Sequence, residues 1–152
     1  MKRTIVYLCL LWTPLVSAAQ APSLPSSQIR VTPQDKAVYE KVMEVLSPVG
    51  EEPMPVMVMK AAEAMLETPY ASGTLEQEPE MLTVSLARTD CILLVEACVA
   101  MAQTARQQDR SFDAFCQNLR QLRYRDGRVD GYASRIHYTS EWILQAQARG
   151  LA

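Results

Sequence analysis

The run Asp90-Cys91-Ile92-Leu93-Leu94-Val95-Glu96-Ala97-Cys98-Val99-Ala100-Met101-Ala102 decides how this chain is read. Asp90 is a good acceptor for first-turn amides, so it caps a helix that runs to about Ala105. Ile92 to Val95 and Ala97 to Ala102 are apolar almost all the way round, the pattern of a helix buried in the middle of a domain. The same cap puts Cys91 in the first turn, where unpaired amides and the positive end of the helix dipole favour a thiolate. A thiol so placed is a candidate nucleophile, and a buried inert thiol is its structural alternative. For Cys98 and Cys116 the inert reading is the expected one.

Helical spacing recurs on both sides of that run. Thr32 caps a first helix, with Pro33 suited to its first position and Asp35 completing a capping box. Val38, Tyr39, Val42, Val45 and Leu46 form its stripe, and Ser47, Pro48 and Gly50 end it. A second helix is expected from about Pro55 to Leu66; its Met54, Met57, Met59 and Met65 read as adaptable core packing rather than ligands. Between Glu67 and Arg88, Pro69, Gly73 and Pro79 interrupt any regular pattern, and a connection of this length is usually functional or disordered. Met81 to Leu86 alternates and suits a short strand. Ser111 caps a fourth helix that turns Phe112, Phe115, Leu119 and Leu122 inward. Tyr124 to Tyr138 carries Asp126-Gly127 and Asp130-Gly131 and reads as a hairpin or compact loop. Ser140 caps a last helix from Glu141 to Arg149, with Gly150 at its end.

With 152 residues, 49% of them hydrophobic, the chain is long enough for one domain with a real core. Lys2 and Arg3, the apolar run Ile5–Val16 and the small residues Ser17, Ala18 and Ala19 have the order of a secretory signal peptide. Residues 1–19 are therefore expected to be removed, 20–31 to form a flexible lead-in, and 32–152 to fold. Without the signal, 13 basic residues face 17 acidic ones, which argues against a nucleic-acid surface. No other run is long enough to span a membrane. Losing Cys9 leaves three cysteines, so at least one thiol stays free or pairs outside the chain. Cys91 and Cys98 on one helix stand about 10 Å apart along its axis. A disulfide needs Cα atoms within about 7 Å, so these two cannot pair, while Cys98–Cys116 stays open.

Three segments carry a family resemblance. Thr68-Pro69-Tyr70-Ala71-Ser72-Gly73-Thr74-Leu75-Glu76 is similar to the T-P-Y-x-x-G-T-L-E signature of secreted N-acetylmuramoyl-L-alanine amidase-like proteins. Asp90-Cys91 with Val95-Glu96 resembles that family's D-C-x-x-F-V-E. Leu122 to Gly127, Asp130 to Tyr138 and Trp142-Ile143 resemble its R-Y-R-x-G-x-x-D-G-Y-x-S-R-L-H-Y and closing W-I. The family belongs to the NlpC-type, papain-like cell-wall cysteine hydrolases. The resemblance implies an α+β fold of that type, mostly helical in this chain, with four to five helices and a hairpin. It implies that 32–152 is the N-terminal half of an amidase domain, lacking most of the antiparallel sheet.

The same resemblance assigns roles. Cys91 would attack the amide joining muramic acid to the first alanine of the peptide stem. Tyr70, Glu76 and Arg135 would contact the glycopeptide; their structural alternatives include a loop-capping carboxylate and a salt-bridged arginine. No metal and no cofactor is implied, the expected partner is peptidoglycan or a muropeptide, and the expected location is periplasmic or cell envelope. Two departures qualify this. Ile92, Leu93 and Leu94 replace small, hydroxylated and aromatic residues after the nucleophile. The strand expected to bear the catalytic histidine is missing, leaving His137, the single histidine, as a substitute base if it reaches Cys91. Whether the chain is an enzyme therefore stays open beside a non-catalytic muropeptide or partner binder and a plain helical envelope domain. A helical layer without its sheet should also expose an apolar face of the Cys91 helix.

Overall fold

In a computed structural model, which describes Pro25 and residues 28–150, Thr32 starts the first helix through reciprocal bonds with Asp35. The Asp35 amide donates to Thr32 Oγ1 at 3.2 Å, and the Thr32 amide donates back to Asp35 Oδ2 at 2.9 Å. The capping box thus nucleates α1 (Pro33–Leu46), whose Tyr39, Val42 and Leu46 are buried while Val45 is not. Prolines 53 and 55 open α2 (Met54–Ala64). Met57 is fully buried, Met65 nearly so, and Met59 faces solvent, so the methionines divide between core and surface.

The lead-in is more ordered at its end than its composition implies. Ile29–Arg30 forms β1, which pairs in parallel with β2 (Leu82–Thr83), Ile29 opposite Leu82 and Arg30 opposite Thr83. The pairing is the only sheet among the described residues. The expected signal peptide and residues 20–24 and 26–27 of the lead-in lie outside those residues.

α3 (Cys91–Ala105) is the helix on which the others assemble, touching α1, α2 and α4. Small residues at Ala97, Ala100, Ala102 and Ala105 let neighbours approach closely, and Met101 fills the remaining space with no exposed surface. Burial is not uniform along it. Ile92 and Val95 are each 49% exposed, so the first two turns keep an open apolar side. α4 (Phe112–Arg123) starts at Ser111, whose Oγ accepts the Ala114 amide. Phe115 is fully buried against α1, with its ring 5.0 Å from that of Tyr39. Full burial of such a side chain contributes about 1.5–3 kcal/mol.

Of the hairpin and the compact loop expected for Tyr124 to Tyr138, the structure has the compact loop: two short 3-10 turns, Arg125–Gly127 and Tyr132–Ser134, are joined across one antiparallel bridge, Tyr124 to Arg135. Gly127 sits at φ +64°, a conformation that strains any side chain, and a Cβ there would also displace the amide end of Gln121, 2.7 Å away. The last helix, α5 (Thr139–Ala148), begins before Ser140, with Tyr138 at the cap and no side chain bonded to it. Arg125, paired with Glu141, holds its first turn against the 3-10 turns instead. No described helix is long and apolar enough to cross a membrane.

Candidate active site

Asp90 caps α3 with one oxygen, Oδ1 accepting the amides of Ile92 at 3.0 Å and Leu93 at 2.9 Å. Cys91 follows as the first helical residue, exposed and free. Cys98 and Cys116 are also free, which closes the question of their pairing. Burial pushes the Cys98 thiol up to about 11. Burial, followed by the Asp113 charge, pushes Cys116 up to about 12. Among the described residues Cys91 is therefore the one thiol that solvent and a substrate can reach.

Backbone pairing brings the Tyr70 loop to the same place. The Ala71 amide donates to the Thr89 carbonyl at 2.9 Å, and the Thr89 amide donates to Pro69 at 3.0 Å. Tyr70 thus lies opposite Thr89, two residues before Cys91, and is 74% exposed. The pairing is held from behind by Asp35, whose Oδ1 accepts the amides of Leu86 and Ala87 at 2.8 and 2.9 Å. Burial opposes ionisation of Asp35. The bonds from Ala87, Thr32 and Leu86 outweigh it and hold the carboxyl below its ordinary range.

Glu76 and Arg135 meet, but as partners of each other. Arg135 Nη2 lies 3.1 Å from Glu76 Oε1, its Nε is 3.8 Å from Glu80 Oε1, and its guanidinium rests over the Tyr132 ring at 5.0 Å. Its side chain is 4% exposed and that of Glu76 60%. Arg135 therefore does not stand on an open cleft wall; it ties the 68–80 loop to the 132–138 segment. The Tyr124 hydroxyl donates to Glu80 at 2.7 Å and completes the cluster.

His137 lies on the same side of the molecule as the start of α3. It lines a groove of about 170 Å³ with Ile92, Val95, Tyr138 and Trp142, and Ile92 is the residue next to Cys91. Its Nε2 is nevertheless 3.0 Å from the Tyr132 carbonyl, and its ring stacks on that of Tyr132 with centroids 4.3 Å apart. The imidazole is thus near the start of α3 and engaged elsewhere. No group of three His, Cys, Asp or Glu side chains comes together as a metal site among the described residues.

One pair escaped the motif reading. Glu96 of α3 and Arg123 of α4 form a buried ion pair, Oε2 to Nε at 2.7 Å, and Arg123 Nη1 donates to the Thr83 carbonyl at 2.5 Å. The signal was present in two charges at otherwise apolar helix positions, because a buried charge requires a partner. Through this pair, α3, α4 and β2 are fixed to one another beneath the groove.

Comparison with known proteins shows what the chain is similar to. The model of the family described as AmiA-like, N-acetylmuramoyl-L-alanine amidase-like, matches residues 60–152. A crystal structure of an N-acetylmuramoyl-L-alanine amidase from Bacteroides uniformis is 38% identical over 67% of this chain and 41% of that one, with a TM-score of 0.57. A second structure from that organism, with the same activity in its name, gives 38% identity over 60% of this chain and 40% of that one, at 0.58. A Bacteroides fragilis protein provisionally named a xylanase is 43% identical over 59% of this chain and 39% of that one, at 0.56. The chain spans about two fifths of the length of these relatives. No curated protein sequence matches it.

Proposed function

The chain belongs to the N-acetylmuramoyl-L-alanine amidase-like family, and from that membership we propose a cell-wall hydrolase that uses Cys91 as its nucleophile. The observation that carries the reading is the position of Cys91: exposed, free, first in a capped helix, and flanked by the tyrosine loop. The sulfur, as thiolate, adds to the carbonyl carbon of the muramoyl–alanine amide and forms a tetrahedral oxyanion. The carbon–nitrogen bond then breaks, the stem peptide leaves as an amine after gaining a proton, and a thioester remains on Cys91. Water hydrolyses the thioester and restores the thiol. Tyr70 lines the rim for the glycopeptide and Glu76 extends it, while Arg135 positions Glu76. His137 is the imidazole available to move the proton, provided it leaves the Tyr132 carbonyl.

The proposal includes export through the signal-like residues 1–19, action in the periplasm or envelope, and a papain-like architecture of the NlpC type. A second reading, a non-catalytic muropeptide binder, is favoured by one observation: His137 bonds to Tyr132 rather than to Cys91. The two separate when the chain and Cys91→Ala are each incubated with a muropeptide. Release of stem-peptide amine by the chain alone is the outcome expected of an enzyme. Binding by both, with release by neither, assigns the chain to the second class.

A further inference from the structure

A cavity of about 540 Å³ lies between residues 72–77 and the start of α1, and nothing in the hydrolysis uses it. Two guanidiniums reach it. Arg30 is partly occupied, Nη1 donating to Thr83 Oγ1 at 3.3 Å. Arg88 is exposed, and no described carboxylate pairs with it. The one acid on the lining, Asp35, already accepts four hydrogen bonds and offers little to a further donor. Thr74 Oγ1 is buried in the wall without a partner. Gly73, at φ +69°, leaves open space where a side chain would stand.

An exposed guanidinium without an ionic partner beside a second, partly engaged one makes a basic wall, and a carboxylate is an acceptor suited to it. The cavity is also in the right place. Arg88 precedes Cys91 by three residues, at most about 11 Å of extended chain, and Ser72 to Thr74 follow directly on Tyr70. A peptide advances about 3.5 Å per residue, so an acid one residue beyond the scissile amide falls within an arginine's reach.

We propose that this cavity is an acidic-peptide subsite, in which Arg88, with Arg30, binds the free α-carboxylate of the D-glutamate that follows alanine in the stem. The assignment deepens the amidase reading and rests on it for the substrate class. Arg88 is a specificity residue that sets which stems are accepted, and takes no part in bond cleavage.

The probes are two muramoyl tripeptides, L-Ala-γ-D-Glu-L-Lys and its D-isoglutamine counterpart, which differ only in carboxylate against carboxamide. Calorimetry with Cys91→Ala full chain is expected to show the carboxylate form binding roughly tenfold tighter, the scale of a hydrogen bond to a charged group. Arg88→Gln, a change at an exposed position, should erase that preference and leave the carboxamide Kd unchanged. Equal binding of the two forms, discrimination that survives Arg88→Gln, or binding of neither overturns the subsite. Turnover of the carboxamide form by the unmutated chain would then keep the amidase reading alive. Arg88-dependent preference without turnover by the unmutated chain would support the subsite and remove the amidase.

Discussion

Cutting the Glu96–Arg123 pair tests how the groove is built. Their side chains are 4% and 3% exposed, and Nε and Oε2 are 2.7 Å apart. In Glu96→Ala the Arg123 guanidinium keeps only its bond to the Thr83 carbonyl and stays walled in by α3, α4 and β2. An uncompensated charge of that kind costs about 3–5 kcal/mol. A domain of this size has about two to three times that to lose. With a urea slope near 2 kcal/mol/M, the midpoint should fall by roughly 2 M. The double variant Glu96→Leu/Arg123→Met removes both charges and should recover most of the loss. Urea denaturation followed by circular dichroism measures both. A single-variant loss below about 1 kcal/mol would show that water reaches the pair, and would refute the claim that it fixes α3 to α4.

Other expectations follow from the same geometry. Asp35→Ala removes the capping box and leaves the Leu86 and Ala87 amides without their acceptor, a loss of about 3 kcal/mol by thermal melting. Because the folded carboxyl titrates below the ordinary 3.8, its contribution is complete above that pH and disappears as pH falls through the folded value. An acid titration of stability should accordingly flatten in Asp35→Asn. Iodoacetamide at neutral pH should modify Cys91 and spare Cys98 and Cys116, buried thiols titrating at about 11 and about 12, until urea unfolds the chain; peptide mass mapping reads this directly. Gly127→Ala should lower the melting temperature by several degrees, the equivalent of about 1–3 kcal/mol, because it forces a side chain onto a positive φ.

The helices were legible because their signals are local. Thr32 with Asp35, Asp90 and Ser111 each satisfy amides within three residues of themselves, so the caps are visible without knowing the fold. Burial was legible where apolar spacing repeats, as at Tyr39, Val42 and Leu46. The start of α5 is not legible, because Ser140 has a capping side chain that the structure does not use. β1 escaped notice because a two-residue strand has no period, and its partner is more than fifty residues away.

The candidate site divides the same way. Cys91 and Tyr70 follow from a cap and a motif, and their proximity follows from one backbone bridge. The role of Arg135 was not readable, because whether an arginine meets substrate or Glu76 is decided by folding of a loop fifty-nine residues distant. His137 likewise depends on the turn that brings the Tyr132 carbonyl to its ring. Arg30 and Arg88 fall outside every motif quoted, and only the cavity joins them.

The most direct measurement is acid-quenched mass spectrometry of the peptide bearing Cys91 after brief exposure to a muropeptide. A muramoyl thioester on that sulfur, absent from Cys91→Ala along with amine release, is the predicted result. Amine release that leaves Cys91 unmodified and proceeds unchanged in Cys91→Ala would contradict the account.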